Sequence, residues 1–398
     1  MIKKLALSFL SSFIALSGFT TSLAADENTW RPNTSQSSNM PRLIPAPPRV
    51  TAKAFVVMDA LSGAIIAKKN ADQRLAPASL TKLMTLYVTF LALQNGQIKL
   101  SDTVPISRKA WKMSGSRMFL KLGERVSVQD LIQGIIVASG NDACVALAEF
   151  IAGNEASFSD MMNQAAHQLK MNATHYVDST GLPNSKHYTT PYDMALLTQA
   201  IIRDFPQYYH FFKQKWFSHN HIKQPNRNRL LWRDPRVDGL KTGHTNAAGY
   251  CLIASATEND MRLITVVMGA PSDAARANNS EALINFGFRF YTRYTLFDPN
   301  TPITQSRTYL GREQYTPLGV EKPLSVSIAK SDYQKLQAHF TLSQPLRAPV
   351  QKNQRYGTVT VKLNDSVIAT APLVALKSNP SGGFFHRMLD HLLLFIHG

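Results

Sequence analysis

Ser79 is followed three residues later by Lys82, and Lys82 opens an apolar run, 83–93, that closes at Gly96. Leucine, methionine and alanine favour helix, Pro77 is tolerated in a first turn, and Gly96 is a natural terminator, so a helix beginning beside Ser79 is predicted. The chain is organised around it. Ser79 and Lys82 then lie one turn apart on the same face. A serine hydroxyl is inert until an adjacent base removes its proton, and Lys82 is placed to be that base. It can act so only if burial, nearby positive charge or the helix N-terminus lowers its pKa.

The beginning of the chain sets the compartment. Lys3 and Lys4 precede an apolar segment, 5–19, and small residues at Ser22-Leu23-Ala24. That order reads as a secretory signal peptide over 1–24, too short in its apolar core to span a bilayer. The formal charge is +17, of which the leader carries two. Such an excess suits an acidic substrate or an anionic membrane, or keeps the protein soluble. An exported chain without a compact basic run is not expected to bind nucleic acid.

Residues 25–50 are rich in Pro, Ser, Asn and Thr and read as a mobile tether. The chain beyond residue 50 is long enough for two cores. The first domain is expected over 51–296. Apolar runs at 54–58 and 64–68 flank Leu61-Ser62-Gly63 as a hairpin. A helical pattern at 131–138 ends at Ser139-Gly140-Asn141-Asp142, and another runs from 143 to 152. Ser139 and Asn141 thus fall on a connection, where polar side chains can project into a cleft. Helical spacing recurs at 157–169 and 192–203, and Lys241-Thr242-Gly243-His244 precedes two expected strands, 250–257 and 261–268. A helix is expected over 274–293. Residues 297–376 hold short strand-like runs at 324–329, 336–342, 358–363 and 367–371, a small β domain acting as spacer or contact module. Residues 377–398 form a flexible linker and an amphipathic helix. Phe385, Met388, Leu389, Leu392, Leu393 and Ile396 line one face of that helix, which fits in-plane membrane binding.

Ser79-x-x-Lys82, Ser139-x-Asn141 and Lys241-Thr242-Gly243 stand in the order and broad spacing of the penicillin-recognising serine acyl-transferases. The stretches 76–85, 139–144, 226–228, 237–245 and 249–250 extend the match. The chain resembles the serine-type D-alanyl-D-alanine carboxypeptidases, the low-molecular-mass penicillin-binding proteins of Gram-negative bacteria. The resemblance implies an α/β (α+β) penicillin-binding, β-lactamase-like transpeptidase fold, an antiparallel sheet with helices, then a small all-β domain and a membrane-anchoring tail. It implies a periplasmic enzyme on the outer face of the inner membrane. The expected substrate is the peptidoglycan pentapeptide, and β-lactams are the expected inhibitors.

In that reading Ser79 is the nucleophile and Lys82 its base, Ser139 relays a proton to the leaving amine, and Asn141 holds Lys82 and the substrate amide. The resemblance puts the oxyanion between the backbone N–H groups of Ser79 and His244. Lys241, Thr242 and Arg227 are candidates for the substrate's terminal carboxylate, with Arg229 a rival to Arg227, and Gly243 completes the motif. The His244 side chain is positional, since Lys82 already fills the base position. Cys144 and Cys251 could form one disulfide in an oxidising compartment, but both sit in apolar patterns, where a buried free thiol is the commoner outcome, and free thiols are expected. No Cys/His cluster has metal-ligand spacing, so no cofactor is implied. A class A β-lactamase needs a deacylating glutamate downstream of the second motif, and none lies between Glu155 and Glu258. A transpeptidase or endopeptidase of the same fold, or a non-catalytic wall-binding protein tethered to the membrane, are the alternatives.

Overall fold

The computed structural model describes residues 29–32 and 44–384, together with 388 and 390. The expected signal peptide and most of the amphipathic tail lie outside the described residues. The chain divides into two compact units. Among the described residues, one holds 44–298 with Pro323–Gln334; the other holds 29–32, Pro299–Lys322 and the chain from Lys335 onward.

The first unit is built on a five-stranded antiparallel sheet in the order Ile65–Lys69, Ala54–Asp59, Met261–Ala270, Gly249–Glu258, Val237–Thr245. Successive side chains of a strand point to opposite faces. Cys251 and Ile253 therefore enter one core with Val56, Met58, Ile264 and Val266. Leu252 and Ala254 enter the other with Phe55, Val57, Leu263 and Val267. The first core is closed by the helices Lys82–Gln94, Asn141–Ala152, Glu155–Gln168 and Pro191–Asp204. The second is closed by Asp273–Phe290, through Leu283 and Ile284. Helix Lys82–Gln94 is buried over most of its surface, with Leu83, Met84, Leu86 and Phe90 at 0% exposure. Each such side chain contributes about 1.5–3 kcal/mol.

Four expectations change. The helix expected to reach Arg293 ends at Phe290, and Tyr291–Phe297 is a strand paired antiparallel with Leu324–Ala329. Its aromatic and β-branched residues, Tyr291, Thr292, Tyr294 and Thr295, favour a pleated surface. The run at 324–329, expected in the β domain, consequently groups with the first unit. The tether is not wholly mobile. Thr29–Trp30 pairs with Ala338 and His339, and Ile44 and Val50 pack on the second core.

The other unit is a seven-stranded sheet. It runs Thr29–Trp30, Leu336–Leu342, Arg355–Leu363, Ser366–Ala375, Tyr315–Gly319, Thr304–Tyr309, Leu346–Arg347, antiparallel except for the last pair. Leu336, Ala338, Val359 and Val361 alternate into its core. The linker expected to be flexible is tied to this unit: Gly382 N donates to Leu310 O at 2.8 Å and Arg312 N to Pro380 O at 2.8 Å. Asp390 is buried and accepts from Leu310 N at 2.6 Å and from Arg307. Met388, by contrast, is exposed.

Candidate active site

Ser79 lies on a 3-10 turn, Ala78–Thr81, that leads directly into the helix beginning at Lys82. The expected register holds. Lys82 Nζ is 2.9 Å from Ser79 Oγ and 2.7 Å from the Thr180 carbonyl oxygen. The ammonium is wholly buried, and burial lowers its pKa; Cys144 and Asp178 oppose that shift and Arg227 adds to it.

Ser139 follows a helix, Val128–Gln133, whose last part, Gly134–Ala138, widens to π-helical spacing. A π-turn of this kind re-aims the chain, and Ser139 itself is left at φ 57°, a conformation rare outside glycine. Its Oγ is 2.9 Å from Lys241 Nζ, which also donates to the Thr242 carbonyl at 3.1 Å. Lys241 is pushed well below the ordinary lysine value by burial, and then by the positive charges of Lys82 and Arg227. Two buried amines in one site disfavour each other's protonation.

Lys241, Thr242 and Gly243 lie on the edge strand Val237–Thr245, which faces the serine turn. Gly243 permits that approach: a Cβ there would stand 3.1 Å from Pro77 O and 3.2 Å from Leu80 N. The His244 ring lies against Tyr250, their centroids 4.0 Å apart.

Asn141 departs from its expected contact. Its amide Nδ2 donates to Ser114 O at 2.7 Å, and its backbone N donates to Ser116 O at 2.7 Å. It holds the loop bearing Ser116, while Lys82 is held by Ser79 and Thr180.

The motifs meet in a cleft of about 520 Å³ lined by Ser79, Ser116, Ser139, Thr242, Gly243, His244 and both candidate arginines. Arg229 is engaged with Asp273 at 2.6 Å. Among the described residues no carboxylate pairs with Arg227, which leaves Arg227 the better placed to receive a substrate anion. The charge of Arg276 and partial burial both depress its pKa, burial being the larger cause.

Sequence reasoning missed three further residues. Arg276 is buried in the cleft wall, donating to Gly243 O at 3.1 Å, pairing with Asp273 and lying over the Tyr250 ring. Asp142 holds the loop 116–120 through three backbone N–H groups, and Thr180 supplies the acceptor behind Lys82. Arg276 sits in an ordinary helical pattern, and no signal in the sequence sets it apart. Asp142 adjoins a recognised motif, which is the one hint available.

Cys144 and Cys251 are buried free thiols, burial raising them to about 12 and about 11. Among the described residues no cluster of three or more His, Cys, Asp or Glu side chains can hold a metal ion.

A family profile described as D-alanyl-D-alanine carboxypeptidase matches residues 42–272. The chain belongs to the D-alanyl-D-alanine carboxypeptidase family. It is a serine peptidase with a penicillin-binding fold. A second profile, the C-terminal domain of penicillin-binding protein 5, matches residues 291–381. The carboxypeptidase DacC of Escherichia coli is 44% identical over 358 residues, covering 88% of this chain and 90% of that protein. Penicillin-binding protein 5 from Haemophilus influenzae superposes with a TM-score of 0.78 at 42% identity, covering 84% of this chain and 99% of that one. Penicillin-binding protein D2 from Listeria monocytogenes, solved in its ampicillin-bound form, reaches a TM-score of 0.56 at 30% identity, covering 60% of this carboxypeptidase and 98% of its own chain.

Proposed function

We propose that this chain removes the terminal D-alanine from peptidoglycan pentapeptide stems by acyl transfer through Ser79. The observation that carries the reading is a buried lysine amine 2.9 Å from the serine hydroxyl, its pKa lowered by burial.

Lys82 takes the Ser79 proton as Oγ attacks the carbonyl carbon between the two D-alanines. Negative charge then develops on the carbonyl oxygen, between the backbone N–H groups of Ser79 and His244. The C–N bond breaks, the amine leaves with the proton returned from Lys82 by way of Ser139, and an acyl-enzyme remains. Water, deprotonated by Lys82, hydrolyses the ester and frees Ser79. The terminal carboxylate is received by Arg227, Thr242 and Lys241, with Arg276 adding positive potential from the wall. A free C-terminus is thereby distinguished from an internal bond.

A β-lactam enters the same chemistry, but its amine stays attached after ring opening. Deacylation is then slow, because the tethered amine obstructs the approach of water, and Glu155, downstream of the second motif, is bonded to Ser179 and Lys109. Among the described helices none is long and apolar enough to cross a membrane. Attachment to the outer face of the inner membrane through the apolar stripe of the tail fits the sequence. Incubation with a pentapeptide should release D-alanine from the parent protein and none from Ser79→Ala. Release by Ser79→Ala at the parent rate would refute the assignment.

A further inference from the structure

Behind Lys82 lies a turn that none of the three motifs includes. Asp178 Oδ1 accepts from Thr180 N at 2.7 Å, Thr180 Oγ1 at 2.8 Å and Gly181 N at 2.7 Å. That closes residues 178–181 into a tight loop whose Thr180 carbonyl meets Lys82 Nζ. Asp178 Oδ2 faces His187 Nδ1 at 3.5 Å, and His187 Nε2 lies 2.9 Å from Thr81 Oγ1, the residue before Lys82. The His187 ring is 3% exposed and stands edge-on to Tyr176. Gly181 presses on the serine turn so closely that a Cβ would stand 1.8 Å from Ala78 O.

A neutral primary amine has two N–H bonds and one lone pair. For Lys82 to deprotonate Ser79 the lone pair must point at Oγ, and an acceptor elsewhere on the nitrogen selects that rotation. Thr180 O is that acceptor. A main-chain carbonyl is fixed only as firmly as its loop, and orientation of a reacting group is a large part of its rate. Ser79 reaches the same loop through Thr81 and His187.

We propose that Asp178 and His187 are positioning residues for Lys82, locking the Thr180 carbonyl against Nζ and the serine turn against the same loop. This rests on the reading of Lys82 as the general base. Asp178 also acts on the amine through its charge. Lys82 is faced by Asp178, Asp142 and Cys144, which favour its protonation, and by Arg227, which disfavours it, and it is coupled to Lys241. Burial opposes ionisation of Asp178, but bonds from His187, Gly181 and Thr180 outweigh it and hold the carboxyl well below the usual range. Its negative charge is therefore present wherever the enzyme works.

The test is the second-order rate constant for acylation by a fluorescent penicillin, measured against pH with thermal midpoints alongside. The rate rises with pH as Lys82 loses its proton. Asp178→Asn removes a charge that favours that proton, so its ascending limb should move to lower pH. His187→Gln and Thr81→Val should lower the plateau by about tenfold or more, and Thr81→Ser should recover most of it. If His187→Gln does not fold, the Thr81 pair, which alters one buried hydroxyl, decides the matter. Parent-like plateaus and an unmoved limb, with Lys82→Ala unreactive, would overturn the positioning role and leave the base assignment standing. A loss uniform across pH, matched by a fall in thermal midpoint and not recovered by Thr81→Ser, would overturn it in favour of structural support. Parent-like acylation by Lys82→Ala would overturn the base assignment and this inference together.

Discussion

Removing the Asp142 carboxylate should both destabilise the catalytic unit and loosen one wall of its cleft. Oδ1 accepts from Met118 N at 3.0 Å and Ala143 N at 3.0 Å, and Oδ2 from Phe119 N at 3.0 Å and Leu120 N at 3.2 Å. The bonds from Met118, Leu120 and Ala143 are buried, so Asp142→Ala strands three donors that water does not reach. A buried unsatisfied donor costs about 1–3 kcal/mol, which puts the loss at about 3–9 kcal/mol. An acid in the first turn of helix Asn141–Ala152 adds about 0.3–1 kcal/mol through the helix dipole. Asp142→Asn keeps one acceptor oxygen and turns an NH₂ towards the other pair of donors, so it should lose about half as much. Urea unfolding followed by tryptophan fluorescence is the assay. Three of the four tryptophans, Trp111, Trp216 and Trp232, lie in the catalytic unit, so the signal reports mainly on it. Because Ser116 lines the cleft and Asn141 holds its loop, acylation by penicillin should slow in parallel. Asp142→Ala unfolding within about 1 kcal/mol of the parent at the same m-value, with acylation unchanged, would show that the loop does not depend on this carboxylate.

Arg227→Ala should slow turnover of a free-acid peptide far more than that of its C-terminal amide, whereas Arg229→Ala, already paired with Asp273, should treat the two alike. Equal selectivity in both variants would remove Arg227 from carboxylate recognition. Gly181→Ala should cost several kcal/mol or abolish penicillin labelling, since φ is +84° and the new Cβ collides with Ala78 O; labelling at the parent rate would mean that the loop moves aside freely. Deleting residues 384–398 should give a protein that no longer sediments with membranes yet still reacts with penicillin. Continued sedimentation of the truncated protein would assign the anchor elsewhere.

Local chemistry explains which parts of the molecule could be read from the chain. The helix Lys82–Gln94 and the strands Gly249–Glu258 and Met261–Ala270 carry long apolar runs, and their burial needs no knowledge of partners. The edge strand Val237–Thr245 does not declare itself as a strand. Lys241 and Thr242 are polar, and they are buried because a serine turn and Ser139 arrive from elsewhere in the chain. The apolar pattern overextends the helix that ends at Phe290, because Phe286, Phe288 and Phe290 lead without a break into Tyr291, and only pairing with Leu324–Ala329 stops it. In the site, Ser79 and Lys82 are legible because one helical turn sets their distance. Asn141, His187 and Arg276 have roles fixed by contacts with residues remote in sequence, including Ser114, Thr81 and Gly243. Spacing alone carries no trace of those contacts.

The central claim is that Ser79, activated by Lys82, is the group that becomes acylated. Mass spectrometric mapping of the protein trapped with benzylpenicillin tests it most directly. The penicilloyl adduct is predicted on the peptide containing Ser79, absent from Ser79→Ala and strongly reduced in Lys82→Ala. An adduct on any other residue, or equal labelling of Ser79→Ala, would contradict the account.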